Sequence, residues 1–232
     1  MTELDQAAVL DALETGYGGV TEVVTGLGEA DLMRPTGCAG WAVTDVLFHQ
    51  LLDAQRALVA FATPVTEPPD RDDITYWAEF APEPGEAGAP ARAGAAAHAR
   101  FVRVAASAYP PGTLARVWSE TSAAACRAAR ACQAAGVATQ GHVLRPADFT
   151  ATLAVETAVH YLDLTVDLPS APPPDPVSLA LVRRVLEGLL GGPLPASWGD
   201  ASAAVKGTGR VLLTDEDRAV LGPLADRVPL FT

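Results

Sequence analysis

Glu156 and His160 stand four residues apart in the segment ETAVHYLDL. That spacing puts both side chains on one face of a helix, with Cβ atoms about 5–6 Å apart. An imidazole and a carboxylate converging from one helical turn can share a divalent metal. A third ligand from another helix would leave positions open for water or substrate, as catalytic zinc sites require. The chain has four histidines, His49, His98, His142 and His160. His49 falls mid-helix among Val46, Leu47, Leu51 and Leu52, where a half-buried neutral imidazole needs a partner. A metal would be such a partner. The alternative is a pair of hydrogen-bonded core histidines with Glu156 as a solvated charge, the commoner fate of an isolated E-x-x-x-H.

Several neighbours bear on the same chemistry. Asp163, three residues after His160, is placed to accept the second ring N–H of a ligand histidine, to act on a proton in transfer, or to stay a surface carboxylate. Asp45 and Asp53 each lie four residues from His49 and are candidates to orient it. Trp41 can line a pocket or pack at a helix start. Arg145 and Arg34 can grip a carboxylate of a bound ligand bidentately. His142 sits in a turn and stays outside the ligand set. Of the three cysteines, Cys38, Cys126 and Cys132, none makes a C-x-x-C pair, and they are expected to be free and reduced. The run GTGR at 207–210 lacks the length and the following Lys-Ser/Thr of a phosphate loop.

The elements that must position these residues are helical. Apolar side chains from Leu4 to Leu27 predict a helix over residues 3–27, and Val43 to Phe61 a second. Residues 62–90 read as a long loop with one helical turn at Tyr76, Trp77 and Phe80, and loops of that length are often lids. Helix is expected at 91–108, a stop at Pro110 and Pro111, and helix again from Thr113 to Gly136. Pro146 opens the helix that carries Glu156 and His160. After a stiff proline-rich connector at 169–177, Asp175 caps a helix that ends at Gly191 and Gly192. Thr214 to Asp217 is a capping box for a last short one. Residues 137–143 and 211–213 are strands or extended connections, too little for a sheet-based fold.

A formal charge of −12 argues against nucleic acid or an anionic membrane surface as partner, because both need a positive patch. No apolar run approaches the ~20 residues of a membrane span. No basic stretch precedes an apolar one near residue 1, so the expected compartment is the cytoplasm. The partner is therefore expected to be small.

GWAVTDVLFHQ (Gly40–Gln50) and ETAVHYLDL (Glu156–Leu164) resemble, in order and spacing, the two signature motifs of the mycothiol-dependent maleylpyruvate isomerase family. The resemblance implies an all-α, DinB-like four-helix bundle over residues 1–168, followed at 169–232 by the linker and a C-terminal helical extension packed on it. It implies a divalent metal, most simply Zn²⁺, on His49, Glu156 and His160, with Asp163 as a catalytic group. Trp41 and Arg145 are the candidates to hold the thiol cofactor. The tail KGTGRVLLTDEDRAVLGPLADRVPL also looks like the end of short members of this group. Fuller members carry a C-terminal α/β domain that helps complete the active site, whereas the roughly seventy residues after Asp163 here show only the linker and two expected helices. The activity implied is S-transfer or isomerisation of a small electrophile with a low-molecular-weight thiol such as mycothiol. Zinc-bound hydroxide hydrolysing an amide or ester, with Asp163 or Glu79 as base, is the alternative, and a non-catalytic helical ligand-binding protein is a third reading. Symmetric pairing into a homodimer is common for such proteins.

Overall fold

The computed structural model describes residues 4–110, 112–168 and 170–232. Residue 3, Pro111 and Pro169, which bear on the expected start of the first helix, the proline stop and the connector, lie outside the described residues.

The scaffold is a ring of four long helices, in which each packs on two others: α1 (Gln6–Thr25), α5 (Thr113–Ala131), α3 (Val43–Phe61) and α6 (Pro146–Thr165). A one-turn helix, α2 (Glu29–Leu32), follows α1, and α4 (Ala89–Ser107) lies against α3. Asp5 caps α1 by accepting from Ala7 N at 3.1 Å, and the helix turns Val9, Leu13, Tyr17, Val20 and Val24 to the core. The second expected helix has the bounds that its periodicity predicts, Val43–Phe61. Its first turn is secured by Asp45, which accepts from Ala42 N at 2.9 Å. The third wall is fixed by Trp118 of α5, fully buried, edge-on to Tyr17 at 5.1 Å and donating to Thr21 Oγ1 at 3.0 Å.

Helix α6 is buried over nearly its whole length, because α1 and α3 flank it on the bundle side and α7 (Pro176–Leu190) covers it from outside. A helix enclosed in this way has no solvated face, so any polar side chain on it must find a partner inside the protein. Glu156, His160 and Asp163 are such side chains.

Residues 137–143, open between strand and extended connection in the sequence, form a hairpin of β2 (Gly136–Thr139) and β3 (His142–Leu144). Its two-residue turn is Gln140–Gly141, both at positive φ (47° and 85°), the backbone that matches strand twist in tight hairpins. A two-residue β1 (Pro64–Val65) adds a third antiparallel strand. The expected helix to Gly136 therefore stops at Ala131, since the chain needs residues 132–135 to reach the sheet.

The long 62–90 segment is tied down along its middle. A 3-10 helix, Thr75–Phe80, forms at the aromatic island, with Asp72 Oδ1 accepting from Thr75 N at 2.7 Å. Asp70 accepts from Val143 N at 2.7 Å, Arg184 of α7 binds Asp73 at 2.8 Å, and His142 bridges Asp70 and Glu79 at 2.8 and 3.0 Å.

The C-terminal part holds more helix than the two expected segments: α7, α8 (Asp200–Gly207), α9 (Asp215–Leu221) and a 3-10 helix, Gly222–Arg227. Helix α8 is too short and Ala-rich to show an apolar stripe, which is why its sequence does not announce it. α9 starts on the expected capping box, with Thr214 N donating to Asp217 Oδ2 at 2.9 Å and Asp217 N to Thr214 Oγ1 at 3.1 Å. The chain end returns to the bundle, where buried Phe231 lies on Trp77 with ring centres 4.6 Å apart. No described helix is long and apolar enough to cross a membrane.

Candidate metal centre

Helices α3 and α6 face each other across the bundle, and His49 meets Glu156 and His160 between them. His49 Nε2 and His160 Nε2 each lie 3.2 Å from the same oxygen, Glu156 Oε1. The two rings stand edge to face at 4.7 Å, and the three ligand atoms all fall within 4.8 Å of one another. Three donors around one tetrahedral zinc, each at roughly 2.0–2.1 Å, are separated by about 3.3 Å from each other. The donor set therefore fits such an ion in chemistry and in spacing.

The electrostatics agree with that fit. Burial pushes the Glu156 carboxyl up, but His160 and His49 outweigh it and hold the carboxyl well below its usual range. Burial likewise pushes the His160 imidazole down, and the Glu156 charge with the Asp163 hydrogen bond overrides it and holds the ring well above its usual value. A field that favours an imidazolium at this point also favours a metal cation among the same three side chains.

Both imidazoles are held from behind. His160 Nδ1 lies 2.9 Å from Asp163 Oδ2, which turns Nε2 toward Glu156. Asp163 in turn receives Arg210, with Nη2 at 3.0 Å from Oδ2 and Nε at 3.2 Å from Oδ1, and the Cys38 thiol at 3.2 Å. Burial raises the Asp163 carboxyl, and the His160 bond and the Arg210 charge bring it down to about 2. His49 Nδ1 lies 3.2 Å from His98 Nε2 of α4. Burial, His49 and Arg56 all push the His98 imidazole down, which keeps it neutral and able to accept a ring N–H.

The loop before α3 reaches α6 only because residue 37 is glycine. Gly37 N donates to Asp163 O at 2.9 Å, and a Cβ there would fall on the Asp163 side chain. The contact brings Cys38 and Trp41 to the edge of the site, with Trp41 edge-on to His49 at 5.4 Å.

Among the described residues, His49, Asp53, Glu156 and His160 line a cavity of about 770 Å³, walled by aromatic rings including Trp41, Tyr76, Trp77 and Phe231. That size lies in the range of small-molecule sites. Trp41 thus faces the cavity as well as packing. Asp163 stands behind His160, outside the cavity lining. Arg145 is also outside it, with its guanidinium on Asp148 at 2.7 and 3.0 Å. Arg34 pairs with Asp31 and Asp167 near the end of α6. Asp45 serves the helix start rather than His49, and Asp53 Oδ2 approaches the Glu156-facing nitrogen of His49, at 3.5 Å. Glu79 is occupied by His142 and Arg71.

Three participants carried no role in the sequence reading. His98 had a usable signal: it precedes Val102 and Ala106 by four and eight residues, the buried stripe of α4. Arg56 lies two turns on from His49 and shared its helix face. Arg210 had none, since 47 residues and two helices separate it from Asp163.

The architecture defines a class: a four-helix bundle with two imidazoles and one carboxylate converging at the floor of an aromatic cavity. The family model of the mycothiol maleylpyruvate isomerase N-terminal domain matches residues 14–165, and the chain belongs to that family. No curated protein and no solved structure matches the chain.

Proposed function

We propose that this protein is a metal-dependent enzyme that uses a low-molecular-weight thiol, mycothiol by the family's name, for S-transfer or isomerisation of a small electrophile. The observation that carries the reading is the convergence of His49 Nε2, Glu156 Oε1 and His160 Nε2 at the floor of the cavity. Zn²⁺ bound there would favour the thiolate form of a thiol entering the open coordination position.

In this reading the chain's own residues hold and shield. Asp163 and His98 keep the two imidazoles oriented through their second nitrogens, so Asp163 acts as a positioning residue rather than on the substrate. The aromatic walls exclude water from the thiolate, with Trp41 at the side of His49. Residues 1–168 carry the metal, and the extension from 169 closes the site by placing Arg210 on Asp163 and Phe231 on Trp77. The cytoplasm, where such thiols are kept reduced, is the compartment that this chemistry requires. The hydrolytic alternative loses support, because Asp163 and Glu79 are both engaged away from the cavity floor.

The test is incubation of zinc-loaded protein with mycothiol and a panel of electrophiles, scored by mass spectrometry for a conjugate or a thiol-dependent isomer. Turnover that needs no thiol, or that survives in His160→Ala, contradicts the proposal.

A further inference from the structure

On the far side of the His160 ring from Glu156, three more donor atoms converge. Cys38 Sγ lies 3.2 Å from Asp163 Oδ2 and 3.7 Å from His160 Nδ1, and Nδ1 lies 2.9 Å from that same oxygen. Around one tetrahedral ion, with sulfur at about 2.3 Å and nitrogen and oxygen at about 2.0–2.2 Å, such donors stand roughly 3.3–3.6 Å apart. The trio therefore comes close to the spacing of a metal site. It differs from the first set because it uses the other nitrogen of the ring. His160 and Asp163 are buried there, and Cys38 is half-buried.

The sulfur is held in place by its own loop. Thr36 Oγ1 accepts from Cys38 N at 3.2 Å, Cys38 O accepts from Trp41 N at 3.0 Å, and the Gly37 bond to Asp163 O pins the turn to α6. Cys38 also lines the cavity beside His160 and Arg210, which gives an ion a path to the trio. Cys126 and Cys132 are outside that lining. Both are buried, and burial pushes the Cys126 thiol up to about 11.

We infer that Cys38, His160 Nδ1 and Asp163 Oδ2 form a second metal position, selective for a thiophilic divalent cation softer than zinc and antagonistic to the first site. The selectivity follows from the donors. The first set offers two imidazoles and a carboxylate, whereas the second replaces one imidazole by a thiolate, the ligand that soft ions prefer. As the ion enters, bonds from sulfur and Nδ1 to the metal form, and the protons of the thiol and of Nδ1 leave to solvent. Arg210 gives up its bond to Oδ2 at 3.0 Å and keeps Oδ1, which its Nε reaches at 3.2 Å. The antagonism follows from the shared ring. Cations on both nitrogens of His160 repel each other, and the second one takes from Nδ1 the hydrogen bond that aims Nε2 at Glu156. By linkage, zinc in the first site weakens the second by the same factor. The second position needs only the trio; its antagonism rests on the metal reading of the first site given above.

The experiment is titration of zinc-free full-length protein with Cd²⁺, followed by ultraviolet difference absorption. A bond from Cd²⁺ to a thiolate absorbs there, whereas its bonds to imidazole and carboxylate do not, so the band reads the second position alone. Wild type is expected to saturate at one thiolate-bound Cd²⁺ per chain. Cys38→Ser is expected to abolish the band, and Asp163→Asn to raise the Cd²⁺ needed severalfold. His49→Ala dismantles the first site and leaves the trio intact, so the band is expected to persist. Protein loaded with one equivalent of zinc is expected to need at least tenfold more Cd²⁺. If Cys38→Ser does not fold, Cys126→Ala and Cys132→Ala, which both keep Cys38, are each expected to retain the band, and its loss in either overturns the site. No band in wild type, or a band that survives Cys38→Ser, overturns it as well. An equal Cd²⁺ requirement with and without zinc overturns the antagonism. Thiol conjugation is scored separately on zinc-loaded protein, so a missing band with conjugation retained strikes the second position alone.

Discussion

His160 Nδ1 lies 2.9 Å from Asp163 Oδ2, one helical turn along α6, and both side chains are buried. The carboxylate fixes the ring so that Nε2 faces Glu156, and Arg210 keeps that carboxylate ionised. Partners of this kind are worth about 10–100-fold in metal affinity. Asp163→Asn, which keeps the shape and loses the charge, is expected to weaken zinc binding within that range in chelator competition. Unchanged affinity would show that Asp163 serves only the fold.

His98 holds the other imidazole with a neutral group, a weaker anchor than a carboxylate. His98→Phe is expected to lower zinc affinity by less than Asp163→Asn, roughly threefold to tenfold, and His98→Gln to restore most of it. A phenylalanine variant with wild-type affinity would place the orientation of His49 with Trp41 instead.

Zinc itself should stabilise the fold, since the three donors converge only in the native bundle. At a free concentration one hundred times Kd the gain is about 2.7 kcal/mol. For a chain of this length that corresponds to a rise in Tm of roughly 5–10 °C. His49→Ala or Glu156→Ala should abolish the rise in a thermal melt, and a rise that persists in both would put the metal elsewhere.

The His142 clamp makes the wall of the cavity sensitive to pH. Hydrogen bonds to Asp70 and Glu79 raise the His142 imidazole above 6.5, so its contribution is fully present below that value and fades as pH rises through the folded pKa. Hydrogen bonding to His142 lowers Asp70 and Glu79 from 3.8 and 4.5, so their share is present above those values and is lost as pH falls. The difference in Tm between wild type and His142→Gln is therefore expected to peak at about pH 5.5 and to shrink toward pH 9. A difference that does not vary with pH would mean that the clamp is neutral.

Gly37→Ala puts a methyl group where Asp163 lies, so the loop that carries Cys38 and Trp41 must lift from α6. Overpacking of this kind costs about 1–3 kcal/mol. The expected outcome is a lower denaturation midpoint together with weaker zinc binding; a midpoint equal to that of wild type would mean that the loop moves freely.

Much of this was readable before any coordinates. The apolar spacing of Val43–Phe61 marks that helix to the residue, and Glu156 and His160 are neighbours by helical arithmetic alone. What lay outside sequence reach has one physical reason: local periodicity says which residues share a face, and not which faces meet. That Asp163 points behind His160, and that Arg210 and Phe231 return from the chain end, are decided by how the helices and the C-terminal segment pack. The same holds for Arg145, which as a lone arginine ahead of a helix could hold a ligand or a neighbour, and which the fold sets against Asp148.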